Sequence, residues 1–457
     1  MLTLLIALAG KAAFADDNNL VFIDQGGEDN SGQIEQIGEG NQLGTSADPA
    51  FQNGYYNLLE LTQDGLGNHV GMSGTGLNQE GFGATPSVFN RITITQTGDN
   101  HSVGEVLQDA RGDIPLGANR IDITQNRGSA NEVASVIQEQ ADDMPGQVAT
   151  LIQTGNANQI SQVRQSSLTP AHNGENSIKA EFIGNRNGRV LLSGWALNSG
   201  ATSGALIQKA GDDGLGANGN SIDLQVLGSD NRFGLTQGGR LNSVGKITLN
   251  GDDNEIGVHQ DGLENDLTTS IISGSGNNVG IEQWGTNTAY LDMGGDNNDN
   301  GVSIFQSGTN DIHVLVDGHR NLVTASQDYD DATGGHNTAN IDVIGSDNIA
   351  RLDQQGSNEA TIFYEGDKNN GTGFSFARLA AAGLMPGDFH QIGQGNDISV
   401  NVTGDRNLTA VSQTGTFNLL TAVVSGTLNE AVILQDGVFN SANLHQRGQG
   451  NLAMIAQ

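Results

Sequence analysis

The chain has 457 residues, with 52 Asp plus Glu against 19 Lys plus Arg, a formal net charge of −33 and no cysteine. Such a field repels nucleic acid and anionic lipid headgroups, and the missing thiols remove disulfides, thiolate metal sites and cysteine nucleophiles together. With 35% hydrophobic residues and 66 glycines, the composition disfavours a thick Leu/Phe core and fits a thin core between short strands.

Residues 1–15 read as a signal peptide. The apolar run Leu2 to Ala9 is followed by the small-x-small sequence Ala13-Phe14-Ala15 and then by Asp16 and Asp17, the order expected around a cleavage site. No stretch is long enough to span a bilayer as a helix. From 16 to 457 the chain reads as a single β-solenoid, because the same strand-end, turn and strand-start chemistry recurs throughout. It appears as Gln36-Ile-Gly38-Glu-Gly-Asn41, Gln96-Thr-Gly98-Asp-Asn100, Gln153-Thr-Gly155-Asn-Ala-Asn158, Gln260-Asp-Gly262-Leu-Glu-Asn265, Gln306-Ser-Gly308-Thr-Asn310 and Gln354-Gln-Gly356-Ser-Asn358. Interruptions rich in Gly, Ser, Asp and Pro are expected near 42–56, 71–90, 109–118, 141–147, 166–176, 195–219 and 328–336. The longest turn insertion is 371–390. Its run Phe376 to Met385 predicts a short helix before Pro386, read as a loop excursion rather than a docking element.

The most regular stretch is 391–457. Asn396, Asn407, Asn418, Asn429, Asn440 and Asn451 recur every eleven residues, in phase with Gly393, Gly404, Gly415, Gly426, Gly437 and Gly448. Asn396, Ile398, Val400 and Val402 fall on one face, and so do Asn440, Ala442, Leu444 and Gln446. Period two means β-strand. An eleven-residue helical supercoil needs apolar spacings of three and four instead. The glycine supplies a positive φ at a bend, and two such arms make a 22-residue strand-turn-strand coil contributing to two parallel sheets. Stacking at about 4.8 Å sets identical residues over one another, so inward Gln413, Gln435, Gln446 and Gln457 are expected to form amide ladders that satisfy their buried donors and acceptors.

The run Gln446-Arg-Gly448-Gln-Gly450-Asn451-Leu-Ala453-Met-Ile-Ala-Gln457 matches Q-x-G-x-G-N-x-A-x3-Q, and resembles the curlin repeat of curli amyloid subunits. Gln435 to Gln446 matches with Phe439 at the second glycine, and Asn440 stands where the family repeat begins with Ser. The resemblance implies a secreted subunit that self-assembles into amyloid fibres of the bacterial extracellular matrix, supporting adhesion and biofilm formation. Its implied partners are other copies of itself, a nucleator subunit and an outer-membrane curli-type secretion channel. The chain is several times longer than a five-repeat curlin, and repeat-like sequence begins by Leu20, leaving no separate secretion-targeting segment. The competing expectation is a monomeric cell-surface adhesin or carbohydrate-binding β-solenoid; a β-helix enzyme acting on polysaccharide is a third.

Catalytic chemistry has little support, and the reading is of a non-enzyme with no catalytic, cofactor-binding or metal residues and no cofactor. Carboxylates such as Asp252, Asp253 and Glu255 belong to turns and outward strand positions. The turns Gly251-Asp-Asp-Asn254, Gly228-Ser-Asp-Asn231 and Gly345-Ser-Asp-Asn348 carry oxygen donors of the kind calcium takes, but Asp and Asn are also ordinary turn formers. No H-x-x-x-H pair occurs, and His259, His313 and His445 are expected on outward positions. Outward Asp405, Asp436 and Gly301 read as gatekeepers against premature aggregation. With no cap after Gln457, the C-terminal face is expected to be adhesive toward a further strand.

Overall fold

The computed structural model describes Thr3–Ile6 and residues 18–457, apart from 83–89, 111–118, 141–145, 168–175, 211–218, 268–272, 294–298, 329–335 and 372–376. The signal-peptide reading of 1–15 therefore lies outside the described residues except for Thr3–Ile6, a strand beside Ser31–Ile34. Most of the interruptions expected at 109–118, 141–147, 166–176 and 328–336 lies outside them too.

The protein is all-β, a parallel β-solenoid whose described strands pair in parallel. It divides into two compact units, the first built mainly from Met1–Leu192 and Ala201–Leu249, the second mainly from Glu264–Gln457. In the first, one stack runs through Ser31–Ile37, Asn57–Asp64, Asn90–Asp99, Thr124–Ser129, Val148–Gln153 and Ser177–Phe182. The other runs through Ile23–Gln25, Ala50–Tyr55, Leu77–Phe82, Ser102–Ala110, Glu132–Gln140, Gln162–Ser167, Ala205–Ala210 and Arg232–Arg240. In the second unit a long stack joins Asn278–Asp292, Gly301–Leu315, Leu322–Asp328, Ile349–Asn358, Asp388–Asn396, Leu408–Thr416, Glu430–Val438 and Leu452–Ala456. Leu419–Thr427 pairs with Ser441–Gln449 on the facing side.

Alternation drives this arrangement. Asn57–Asp64 buries every second residue, so each strand gives one side to the core and one to water. The inward residues stack in columns, such as Ile34 on Leu61 on Ile94 and Ile281, Ile304, Ala325, Leu352, Phe389, Val411 and Ile433. Aliphatic columns of this kind are nearly inaccessible to solvent. The thin core thus gains depth by repetition rather than by large side chains.

Several expectations need correction, among them that of an interruption at 71–90, which contains the strand Leu77–Phe82. The 22-residue coil holds from 391 onward, where Gln391, Gln413, Gln435 and Gln457 follow at 22; in the first unit spacings of 22 occur between Asn19 and Asn41 and between Asn220 and Asn242, but other rungs stand 27 to 44 residues apart, because those coils carry extra strand and longer turns. The interruption expected at 42–56 is mostly not one: Ala50–Tyr55 is a strand between Ile23–Gln25 and Leu77–Phe82. The 371–390 insertion does dock. Its helix is the short Ala377–Ala381, and Leu379 and Leu384 pack on the outward residues Leu408, Ala410 and Val432. A strand face with aliphatic residues on both sides must be covered on both, and the insertion covers the second side.

The 195–219 interruption likewise holds a helix, Gly194–Asn198, and a strand, Ala205–Ala210. The helix backbone lies directly on outward glycines. A Cβ on Gly257 would stand 2.0 Å from the Ala196 carbonyl oxygen, and one on Gly280 would stand 1.9 Å from that of Trp195. Asn278 Oδ1 accepts the helix N–H groups of Trp195 at 2.6 Å and Ala196 at 3.2 Å.

Candidate assembly surface

The turn is the element from which the stacking surface is built. In each Gly-x-x-Asn turn of the C-terminal coils two residues are left-handed. The first is the expected glycine, from Gly393 at +121° to Gly448 at +110°; the second precedes the asparagine and is Gly395, Arg406, Phe417, Leu428, Phe439 or Gly450, all between +54° and +69°. The first position admits nothing larger than glycine, since a Cβ on Gly393, Gly404, Gly415 or Gly426 would come within 1.9 to 2.1 Å of a glycine carbonyl oxygen in the adjoining coil. The second tolerates a side chain at about 1–2 kcal/mol. It also lets Phe417 and Phe439 stack at 5.3 Å between centroids.

Asparagine follows the turn because its amide meets three needs at once. Asn418 Nδ2 donates to Asn396 Oδ1 at 3.0 Å, to its own turn at the Thr414 carbonyl, and to the Gly437 carbonyl, while Asn396 Oδ1 also accepts the Asn418 backbone N–H. Asn429 repeats this set on Asn407, Ser425 and Gly448. The six asparagines therefore form two columns, Asn396–Asn418–Asn440 and Asn407–Asn429–Asn451, linked at every step. Upstream, His101 takes an asparagine place. Its backbone N–H donates to Asn68 Oδ1, its Nδ1 faces the Asn131 N–H and its Nε2 faces the Thr97 carbonyl. Burial holds its pKa below the usual histidine value, offset in part by that carbonyl and by Asp99.

The glutamines divide. Gln391 Nε2 donates to Gln413 Oε1 at 2.9 Å, Gln413 to Gln435 at 2.8 Å and Gln435 to Gln457 at 3.0 Å. Gln413 Nε2 also reaches the Asn418 carbonyl. In the first unit Gln52, Gln79, Gln108, Gln138, Gln165, Gln208 and Gln237 form the same chain. Gln446 does not join one. It stands over Val424, donates at 3.3 Å to the Glu430 carbonyl, and its buried Oε1 has no partner. Glutamine ladders donate toward higher residue numbers, whereas asparagine ladders donate toward lower ones.

Other expected residues fall as follows. His259 and His313 are half-buried on outward positions, against Trp284 and Tyr290, and His445 is exposed. Asp405 and Asp436 are exposed, but Asp405 also has a structural task, since its Oδ1 accepts the Asp367 N–H. In the Gly345 turn the Asp347 carboxylate is held by both Arg320 nitrogens at 2.7 and 2.8 Å. Among the described residues no group of three or more His, Asp or Glu gathers as a metal site.

Register also aligns Asp353, His390 and Ser412 on neighbouring coils, which sequence reading missed because they lie in different repeats. His390 lies 3.6 Å from Asp353 and 3.9 Å from Asp388, and these two carboxylates raise its pKa to about 9. With Arg351 beside Asp388 and donating to the Pro386 carbonyl, the cluster ties the 371–390 insertion to the sheet. Among the described residues no helix is long and apolar enough to cross a membrane. No protein-family model matches the chain, and no curated protein matches it in sequence.

Proposed function

We propose that this protein is a structural subunit of curli-like extracellular fibres, which grow as a coil of one copy adds to a coil of another. The observation that carries the reading is the identity of what stacks: Gly393 on Gly415 on Gly437, Gln391 on Gln413 on Gln435, and Asn396 on Asn418, each in unbroken register. A coil of this kind offers, on one side, the donors and acceptors that match the other side of any further coil. Intermolecular stacking then uses the bonds already used within the chain. The net charge of −33 opposes association until salt screens it. A nucleating subunit and an outer-membrane channel belong to this reading as partners, through the resemblance to curlin repeats.

The test is sedimentation with fibre diffraction on protein lacking residues 1–15, across series in salt and pH. Sedimenting fibres with reflections near 4.8 and 10 Å are expected, forming faster as salt increases. Monomers that persist throughout both series overturn the proposal.

A further inference from the structure

The turn position before the asparagine carries cations in three nearby coils of the second unit: Arg320, Lys368 and Arg406. The coils are consecutive, with Asp347 between the first two. The Asp347 N–H donates to the His319 carbonyl, that of Lys368 to Ser346, and that of Arg406 to Asp367. The four side chains, with the half-buried Leu322 and Ile349, line an open cavity of about 490 Å³.

The lining carries three cations against the single carboxylate of Asp347, while Asp367 and Asp405, which keep their charge, adjoin Lys368 and Arg406 in sequence outside that lining. Arg320 and Asp347 satisfy each other through two hydrogen bonds. The carboxylates adjoining the other two cations in sequence are committed to the turn: Asp367 Oδ1 accepts the Ser346 N–H at 2.8 Å and Asp405 Oδ1 accepts that of Asp367 at 2.9 Å. Lys368 and Arg406 make no ion pair with a described residue, and they stand on adjacent coils about 5 Å apart. Like charges so placed repel. The backbone gains nothing from them either. Their φ values are +60° and +58°, where glycine, present at Gly395 and Gly450 of the same turn position, avoids about 1–2 kcal/mol of strain. In a chain with only 19 Lys and Arg, this placement marks a side-chain task.

We infer that the cavity binds a carboxylate-bearing oligosaccharide, a short run of uronate residues. Guanidinium and ammonium groups recognise carboxylates. The row from Arg320 to Arg406 spans three coil spacings, about 14 Å, longer than an inorganic anion and suited to charges repeated along a chain. Leu322 and Ile349 offer aliphatic surface to the C–H faces of sugar rings. The site lies within one chain and does not require fibre growth.

Isothermal titration of the full chain in its non-sedimenting fraction, with a galacturonate hexamer, a neutral glucose hexamer and inorganic phosphate, tests this. The acidic hexamer should bind at least tenfold more tightly than the other two. Lys368→Gly with Arg406→Gly should lose at least tenfold while melting no lower than the wild type, because glycine relieves the strain of that backbone. Leu428→Gly, the same change without a charge, should leave binding intact. Equal binding of the neutral hexamer, phosphate binding as tightly as the acidic hexamer, no measurable binding of the acidic hexamer, or undiminished binding by the double variant would each refute the assignment.

Discussion

Gln413 and Gln446 carry the same sequence signature, two residues before the turn glycine, yet the structure assigns them different energies. Replacing Gln413 with Met keeps shape and volume but removes three hydrogen bonds: from Gln391 Nε2, to Gln435 Oε1 and to the Asn418 carbonyl. At about 1 kcal/mol net for each bond, with a further 1–3 kcal/mol for a buried acceptor left unpaired at Gln435, the loss sums to about 4–6 kcal/mol. Gln391 keeps its bond to the Asn396 carbonyl, and the more apolar side chain recovers about 1 kcal/mol, so a net cost of about 3–5 kcal/mol is expected. Gln446→Met loses one long bond and also removes an unpartnered buried oxygen, so its expected effect is within about 0.5 kcal/mol of zero. Urea titration of both variants, with hydrogen exchange at the Leu408–Thr416 and Leu419–Thr427 strands to localise the change, reads the difference. Equal destabilisation by the two substitutions would refute the ladder reasoning.

Gly415→Ala should cost about 3 kcal/mol or more, because its Cβ meets the Gly437 carbonyl oxygen at 1.9 Å and φ is +112°; Leu428→Gly should instead stabilise by about 1 kcal/mol, both read from denaturant midpoints. Two histidines set opposite pH limits. His101, whose folded pKa is lowered by burial, contributes stability that is present above the unfolded value near 6.5 and lost below it. His390, raised to about 9 by Asp353 and Asp388, contributes stability that is full below about 6.5 and lost as pH rises through 9. Its ring is 33% exposed, so about 1–2 kcal/mol is expected after solvent screening. Melting His101→Asn and His390→Gln across pH 5 to 10 should flatten the acid and alkaline limbs respectively. Leu379→Ala should loosen the 371–390 insertion by about 2–3 kcal/mol and expose the aliphatic surface beneath it, seen as faster proteolysis within 371–390 and increased binding of a hydrophobic dye.

The fold was legible where two residue types recurred together. Asn and Gly in fixed phase, with period-two apolar residues between them, specify strand, bend and inward face. What eleven-residue counting obscures is that neighbours in the stack are 22 apart. Counting back 22 from Gln446 reaches Val424, and that step alone would have removed Gln446 from the ladder. Upstream it is the place three residues after the turn glycine, not a count of 22, that marks His101, after Gly98-Asp-Asn100, as a substitute for asparagine. The docking of Leu379 was not legible, because Leu408, Ala410 and Val432 look in sequence like a continuous apolar strand with no indication of what covers its outer side. The Lys368–Arg406 pair was equally hidden, since 38 residues and an insertion separate two positions that share a column.

The opposed donor directions of the amide ladders carry a consequence for symmetry. Each row of carboxamides is a head-to-tail chain of dipoles, and such chains polarise one another cooperatively. If glutamine and asparagine rows pointed the same way, a stack would resemble a long helix, with partial positive charge accumulating at one end and negative at the other. Here the asparagine Oδ1 must serve the next asparagine's backbone N–H, as at Asn396 and Asn418, which fixes one direction, while glutamine takes the other. The two fields oppose one another, but unequally: each C-terminal coil sets two asparagine columns against one glutamine ladder, because Gln446 joins none. The glutamine row therefore offsets part of the potential that the asparagine rows build up along the stack, and the remainder leaves the two ends of a stack electrically unlike.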